Sequence, residues 1–174
     1  EINRGQLAKI FGELMVLIEP DKRGTENAIP LMYSRKGAPP FSIPPNVHII
    51  GTMNTADRSL SLVDYALRRR FAFAGLEPGF DTPAFARQLK ANGRPDEMVE
   101  RIRARMRNLN QLIAEDSRNL GPSYRLGHSF FCTEGGEHDR WYDDVVAFEI
   151  KPLLEEYWID QPKQLARAME ILAS

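Results

Sequence analysis

An apolar run at residues 47–50, VHII, leads into GTMNTADRSLSLVDYALRRRF at 51–71 and then FAFAGL at 71–76. A short buried strand, a polar turn, a helix and a second strand make one repeat of an α/β fold, and this repeat constrains the chain more than any other feature. Ser61 followed by Asp64 is a capping-box pattern ahead of Val63, Ala66 and Leu67, which predicts a helix over 61–69. Upstream, QLAKIFGELMVLIE at 6–19 places Leu7, Ile10, Phe11, Leu14, Met15 and Ile18 on one helical stripe. Residues 20–46 are rich in Pro, Gly and charge. Within them, 29–33 and 41–43 read as the arms of a hairpin confined by proline to a sheet edge or a loop. Two or three strands cannot make such a sheet alone, so its other strands are expected upstream of Glu1.

The character changes after Pro78. A loop, a short helix and another loop lead to a long amphipathic helix over 96–118, with Met98, Ile102, Met106, Leu109 and Leu112 or Ile113 on its apolar face. GPSYRLGHSFFCTEGGEHD at 121–139 is mostly irregular. Residues 141–158 are helical in pattern, with a kink expected at Pro152. Asp160 to Pro162 reads as a cap and first-turn proline opening a last helix through Leu165, Met169 and Leu172. The organisation is therefore an α/β piece at 1–76 and an all-helical piece at 79–174.

Bulk properties exclude several classes. The net charge of -1 over 174 residues gives no general basic field for nucleic acid or membrane surfaces. No apolar run is long enough to span a membrane, and the start has no signal pattern. One cysteine, Cys132, cannot make an internal disulfide, which fits a reducing, cytoplasmic setting. His48, His128 and His138 with Cys132 lack metal-ligand spacing. Arg101, Arg103, Arg105 and Arg107 alternate around their helix with glutamates nearby, which argues against a DNA-binding stripe. The adjacent carboxylates Asp143, Asp144, Glu155 and Glu156 read as solvated surface, and Trp141, Tyr142, Tyr157 and Trp158 as core.

The polar cluster after residue 50 lies where open α/β sheets place ligands, at the carboxyl ends of strands. Asn54 has two readings: it orients a water or phosphate, or it bonds its own backbone in a turn. Asp57 and Arg58 suit pairing with each other, with a neighbouring loop or with another subunit. Arg68, Arg69 and Arg70 close a helix, where one cation complements the helix dipole. Three in a row exceed that need and fit an arginine finger, a guanidinium that stabilises a transferring phosphoryl group.

EINRGQLAKIFGELMVLIEPDKR, IPPNVHIIGTMNTADRSLSLVDYALRRRFAF and LGPSYRLGHSFF, in this order, resemble the McrB-like AAA+ proteins, GTP-hydrolysing motor subunits of 5-methylcytosine-dependent restriction systems. The resemblance implies the C-terminal part of a P-loop AAA+ nucleotide hydrolase core over 1–76 and a helical lid over 79–174. It implies that Glu1 matches the second acid of Walker B, which polarises the attacking water, and that Asn54 matches sensor 1. Asp57 and Arg58 fall in the same signature at a subunit boundary. Arg69 and Arg70 are the finger candidates, with Arg68 behind them. Arg125 and His128 stand where a lid offers a cation to the nucleotide. No guanine reading is assigned to NTAD at 54–57, which the resemblance places at sensor 1.

The implied cofactor is GTP, or ATP, with Mg²⁺ in the intact protein. The implied partners are further copies in a ring, expected to be a hexamer, a McrC-type endonuclease, and DNA through a separate domain. The chain contains no G-x-x-x-x-G-K-[ST] loop, so by itself it is expected to hydrolyse no nucleotide. Two alternatives stand beside this reading: a non-catalytic interaction module built on a degenerate AAA+ subunit, and an AAA+ ATPase with another cellular role.

Overall fold

The computed structural model describes residues 1–54, 56, 65–133 and 140–174. They form two compact units, Glu1–Gly75 and Leu76–Ser174.

In the first unit, α1 (Leu7–Phe11) is much shorter than the helix expected over 6–19. It stops at Gly12, whose φ of +47° suits a residue without Cβ, and the chain goes on as a tight 3₁₀ turn, Gly12–Met15. Leu17, Ile18 and Ile43 are buried, with Phe11, Leu14, Met15, Ile29, Ile49 and Phe71 packed against them. Arg23 ties this core together through backbone carbonyls. Its Nε and one terminal nitrogen donate to the Ile18 carbonyl at 3.0 and 2.8 Å, and the other terminal nitrogen to Val47 at 3.2 Å. A short helix, α2 (Tyr65–Arg68), precedes the arginine run. The capping box at Ser61 and Asp64 lies outside the described residues.

The expected α/β layer is not formed among the described residues. The one ladder contact is an antiparallel bridge between Ile29 and Phe41, which exchange hydrogen bonds of 2.9 and 2.7 Å. Thus the hairpin arms meet at one rung only. Residues 47–50 and 71–76, expected as strands, run without a ladder, and Ile50 is 92% exposed. An extended segment becomes a strand only beside a neighbour that takes its N–H and C=O groups. Neither segment has that neighbour among these residues.

The second unit is helical. α3 (Pro83–Ala91) opens with proline in its first turn and is capped by Thr82, whose hydroxyl accepts the Phe85 N–H at 3.2 Å. α4 (Asp96–Glu115) is the central helix. Val99, Ile102, Met106, Leu109, Leu112 and Ile113 form its buried stripe, and Asp96 and Glu97 suit its positive N-terminal end. α5 (Trp141–Val145), a π turn (Val146–Ile150) and α6 (Lys151–Tyr157) follow without a break, and α7 (Pro162–Ala173) closes the chain. The kink expected at Pro152 is absorbed as that π turn. Proline has no N–H to give the Phe148 carbonyl four residues back, and its ring crowds that carbonyl, so the preceding turn widens. Pro162 sits in the first turn of α7 as expected, but Gln161, not Asp160, is at the cap position and makes no side-chain cap bond.

Of the four aromatic residues expected as core, Trp141, Tyr142 and Trp158 are buried and Tyr157 is partly buried against the same cluster; the Phe131 ring stacks on Tyr142 at a centroid distance of 6.0 Å. The arginines of α4 are engaged within the unit. Arg101 and Arg105 lie over the Tyr142 ring at 5.4 and 4.8 Å. Arg103 donates to the carbonyls of Phe80 and Thr82, and Arg107 pairs with Asp81 at 2.7 Å. These contacts hold α4 to its neighbours within the unit.

Candidate functional site

Two segments far apart in sequence meet in the first unit. The Ile2 N–H donates to the Thr52 carbonyl at 2.8 Å. One residue further on the first segment and two on the second, Asn3 Nδ2 donates to the Asn54 carbonyl at 3.2 Å. These bonds bring the segment carrying Glu1 beside the segment carrying Asn54. The Glu1 carboxylate is partly exposed and takes the Nε–H of Arg4. Asn3 is buried, and its Oδ1 has no hydrogen-bond partner among the described residues. A buried acceptor left unpaired costs about 1–3 kcal/mol. The sequence reading passed over Asn3, although it lies in the quoted EINRG run.

Of the two readings of Asn54, the structure shows the local turn bond. Its Oδ1 accepts the Ala56 N–H at 3.0 Å, the local turn bond expected of asparagine. Its exposed Nδ2 makes no hydrogen bond among the described residues and remains a donor for an incoming oxygen. Asp57 and Arg58 lie outside the described residues.

The three arginines separate by environment. Arg70 is largely buried and pairs with Glu19 at 2.5 Å. Arg68 is exposed and stands over the Phe73 ring at 5.9 Å. Arg69 is exposed and makes no ion pair among the described residues. Identical side chains in sequence thus meet three different surroundings, and among the described residues Arg69 makes no ion pair.

The two candidates in the helical unit are anchored by their surroundings. Arg125 pairs with Glu77 at 2.5 Å and donates through Nε to the Pro122 carbonyl at 2.9 Å. His128 Nδ1 accepts the Gly79 N–H at 2.9 Å, and its ring stands edge-on to Phe80 and Phe85. A Cβ on Gly79 would come within 3.0 Å of the imidazole, which is why glycine stands there. Asn110 clamps the same loop. Its Nδ2 donates to the Leu126 carbonyl at 2.9 Å, and its Oδ1 accepts the Leu126 N–H at 2.7 Å. An open depression lies over this region, lined by Glu77, Asp81, Arg107, Gln111 and Arg125 with Asn110. The signal for Asn110 was in the sequence: an amide on the buried face of α4 demands a polar partner.

The Cys132 thiol contacts the His128 carbonyl at 3.4 Å, and burial raises its pKa. Among the described residues no three His, Cys, Asp or Glu side chains group as metal ligands, and no helix is long and apolar enough to cross a membrane. His138 lies outside the described residues.

Comparison with known proteins agrees with this division. Residues 1–71 match the family model for the AAA domain of the dynein-related subfamily, and residues 101–166 match that for the McrB alpha-helical lid domain. The chain is 49% identical over 166 residues to the type IV methyl-directed restriction enzyme EcoKMcrB subunit of Escherichia coli (strain K12), covering 93% of this chain and 36% of that protein. It is 33% identical over 87 residues to the type II restriction enzyme BsuMI component YdiS of Bacillus subtilis (strain 168), covering 44% of this chain and 25% of that protein. The chain thus spans about a third or less of the length of these two relatives. With an AAA-domain match before residue 72, a McrB lid match after residue 100 and near-half identity to an McrB subunit along most of its length, the chain belongs to the McrB-like AAA+ family.

Proposed function

We propose that in the whole protein this chain supplies the water-positioning and subunit-boundary side of a ring-forming nucleotide hydrolase. It uses GTP and drives a partner endonuclease of the McrC type in modification-dependent DNA restriction. Glu1 polarises the attacking water. Asn54 Nδ2 holds that water or the terminal phosphate, while its own Oδ1 is fixed by the turn to Ala56. Arg69 reaches the nucleotide of the adjoining subunit and stabilises charge in the transition state. Asp57, Arg58 and Arg68 lie along the same boundary. Arg70 steadies that boundary through Glu19. Arg125 and His128 shape the lid through Glu77 and Gly79. When bound with Mg²⁺, GTP would supply the terminal phosphoryl group that passes to water, with GDP as the leaving group. Among the described residues no three His, Cys, Asp or Glu side chains group as ligands for the ion, and the chain has no phosphate-cradling G-x-x-x-x-G-K-[ST] loop.

The observation that carries this reading is the hydrogen bonding of residues 2 and 3 to residues 52 and 54, which sets the expected Walker B acid and the expected sensor asparagine on neighbouring segments. The test is GTP and ATP turnover by the whole protein, with and without its endonuclease. Asn54→Ala and Arg69→Ala are each expected to lower turnover by an order of magnitude or more, since a finger arginine is worth ~10³–10⁵ in rate. Arg70→Ala is expected to act mainly on stability. Absence of turnover with either nucleotide, even with the endonuclease present, would overturn the reading in favour of an interaction module.

A further inference from the structure

One surface of the first unit is not used by the reading above. Every residue from 32 to 40 is exposed, including two large apolar side chains, Met32 at 77% and Tyr33 at 95%. Arg35 and Lys36 follow at once, and neither makes an ion pair among the described residues. The stretch 27–56 contains no Asp or Glu, in a chain whose acids and bases otherwise nearly balance.

The loop is also preformed. Its base is closed by the mutual hydrogen bonds of Ile29 and Phe41. The Met32 N–H donates to the Glu13 carboxylate, at 2.9 and 3.1 Å to its two oxygens. Two successive turns build the tip. The Ser34 N–H and hydroxyl both donate to the Leu31 carbonyl, at 3.0 and 2.8 Å, and the Ala38 N–H donates to the Arg35 carbonyl at 2.9 Å. Gly37 takes φ +82° in the second turn. A shaped, exposed loop that sets tyrosine and methionine beside two uncommitted cations in an acid-free stretch is suited to a polyanion with flat or sugar-like apolar faces.

We propose that residues 29–41 form a contact loop for the phosphodiester backbone of DNA, with Arg35 and Lys36 on two phosphates and Tyr33 packed against the sugar or an exposed base. Contacts of this kind position a protein on DNA without reading its sequence. This inference does not depend on which nucleotide the motor uses or on whether it hydrolyses one.

The test is the affinity of the whole protein for a short duplex without modified bases, measured across a salt series. Each phosphate contact contributes about 0.9 to the slope of log affinity against log salt. The double variant Arg35→Ala with Lys36→Ala is expected to make that slope shallower by about 2 and to weaken binding at low salt on the order of tenfold or more. Arg35→Lys, which keeps the charge, should keep the slope. Tyr33→Ala is expected to weaken binding by a similar factor at every salt concentration with the slope unchanged. Basal nucleotide turnover, measured in the same samples, should match the parent protein in all three. A double variant with unaltered slope and affinity would overturn the proposal. So would unaltered DNA binding with a loss confined to endonuclease-stimulated turnover, which would make the loop a protein docking site.

Discussion

At the residue scale, function and stability are decided by which partner each polar side chain finds. Asn110 shows the energetic side. It closes two hydrogen bonds on the Leu126 backbone inside the helical unit. Removing the amide strands both an N–H and a C=O, and an unsatisfied buried group costs about 1–3 kcal/mol. Asn110→Ala is therefore expected to lower unfolding stability by at least about 2 kcal/mol, read as a lower urea midpoint with the slope unchanged. Arg68, Arg69 and Arg70 show the functional side. One stands over Phe73, one makes no ion pair among the described residues and one pairs with Glu19. The run RRR announces a concentration of positive charge, but no local rule says which guanidinium stays available, because Glu19 and Phe73 enter only through folding. Asn3 is the counterpart. Its amide grips the Asn54 carbonyl, a bond between residues some fifty positions apart that no spacing rule predicts.

At the scale of elements, the helical unit was legible and the first unit less so. The stripe on α4 repeats every three or four residues, so its buried face could be read off before any partner was known. The cap of α3 is equally local: Thr82 before a first-turn proline is a start signal in the sequence and a hydrogen bond to Phe85 in the structure. Thr82→Ala is expected to cost ~1 kcal/mol, seen as a lower urea midpoint, while Thr82→Ser should restore most of it. Pro152 marked a disturbance whose form the sequence did not specify; the helix answers with a π turn at Val146–Ile150. In the first unit, the helix expected over 6–19 overran Gly12, whose positive φ ends α1. The segments at 47–50 and 71–76 carry strand-like composition, but strand formation is a property of pairs, and the pairing groups are not among the described residues.

At the scale of the whole molecule, the two units differ in how much they bury. The helical unit has a continuous core running from Phe80 through α4 to Leu172, whereas the first unit is centred on Leu17, Ile18 and Ile43. The first unit also leaves Ile50 open to solvent, the kind of apolar surface that other parts of a protein cover. The ring reading makes a prediction at this scale. If Arg69 acts in trans, an inactive Arg69→Ala protein mixed with an inactive protein altered in its phosphate loop should recover nucleotide turnover, because mixed rings contain boundaries with one intact loop and one intact arginine. Turnover in the mixture no higher than in either parent would place Arg69 outside the neighbour's site. The family was legible in the sequence, in the strings EINRG, GTMNTADRS, DYALRRRF and GPSYRLGHSFF taken in that order. So were the helices of the second unit, because periodicity and capping are set by residues within a turn or two. Only the tertiary structure decided that Arg70 pairs with Glu19 while Arg69 makes no ion pair among the described residues, that Asn3 holds Asn54, and that the arginines of α4 contact their own unit. Each of these depends on a partner brought close by the fold, and the strength of a charge or a hydrogen bond is set by that partner and its exposure, not by neighbours along the chain.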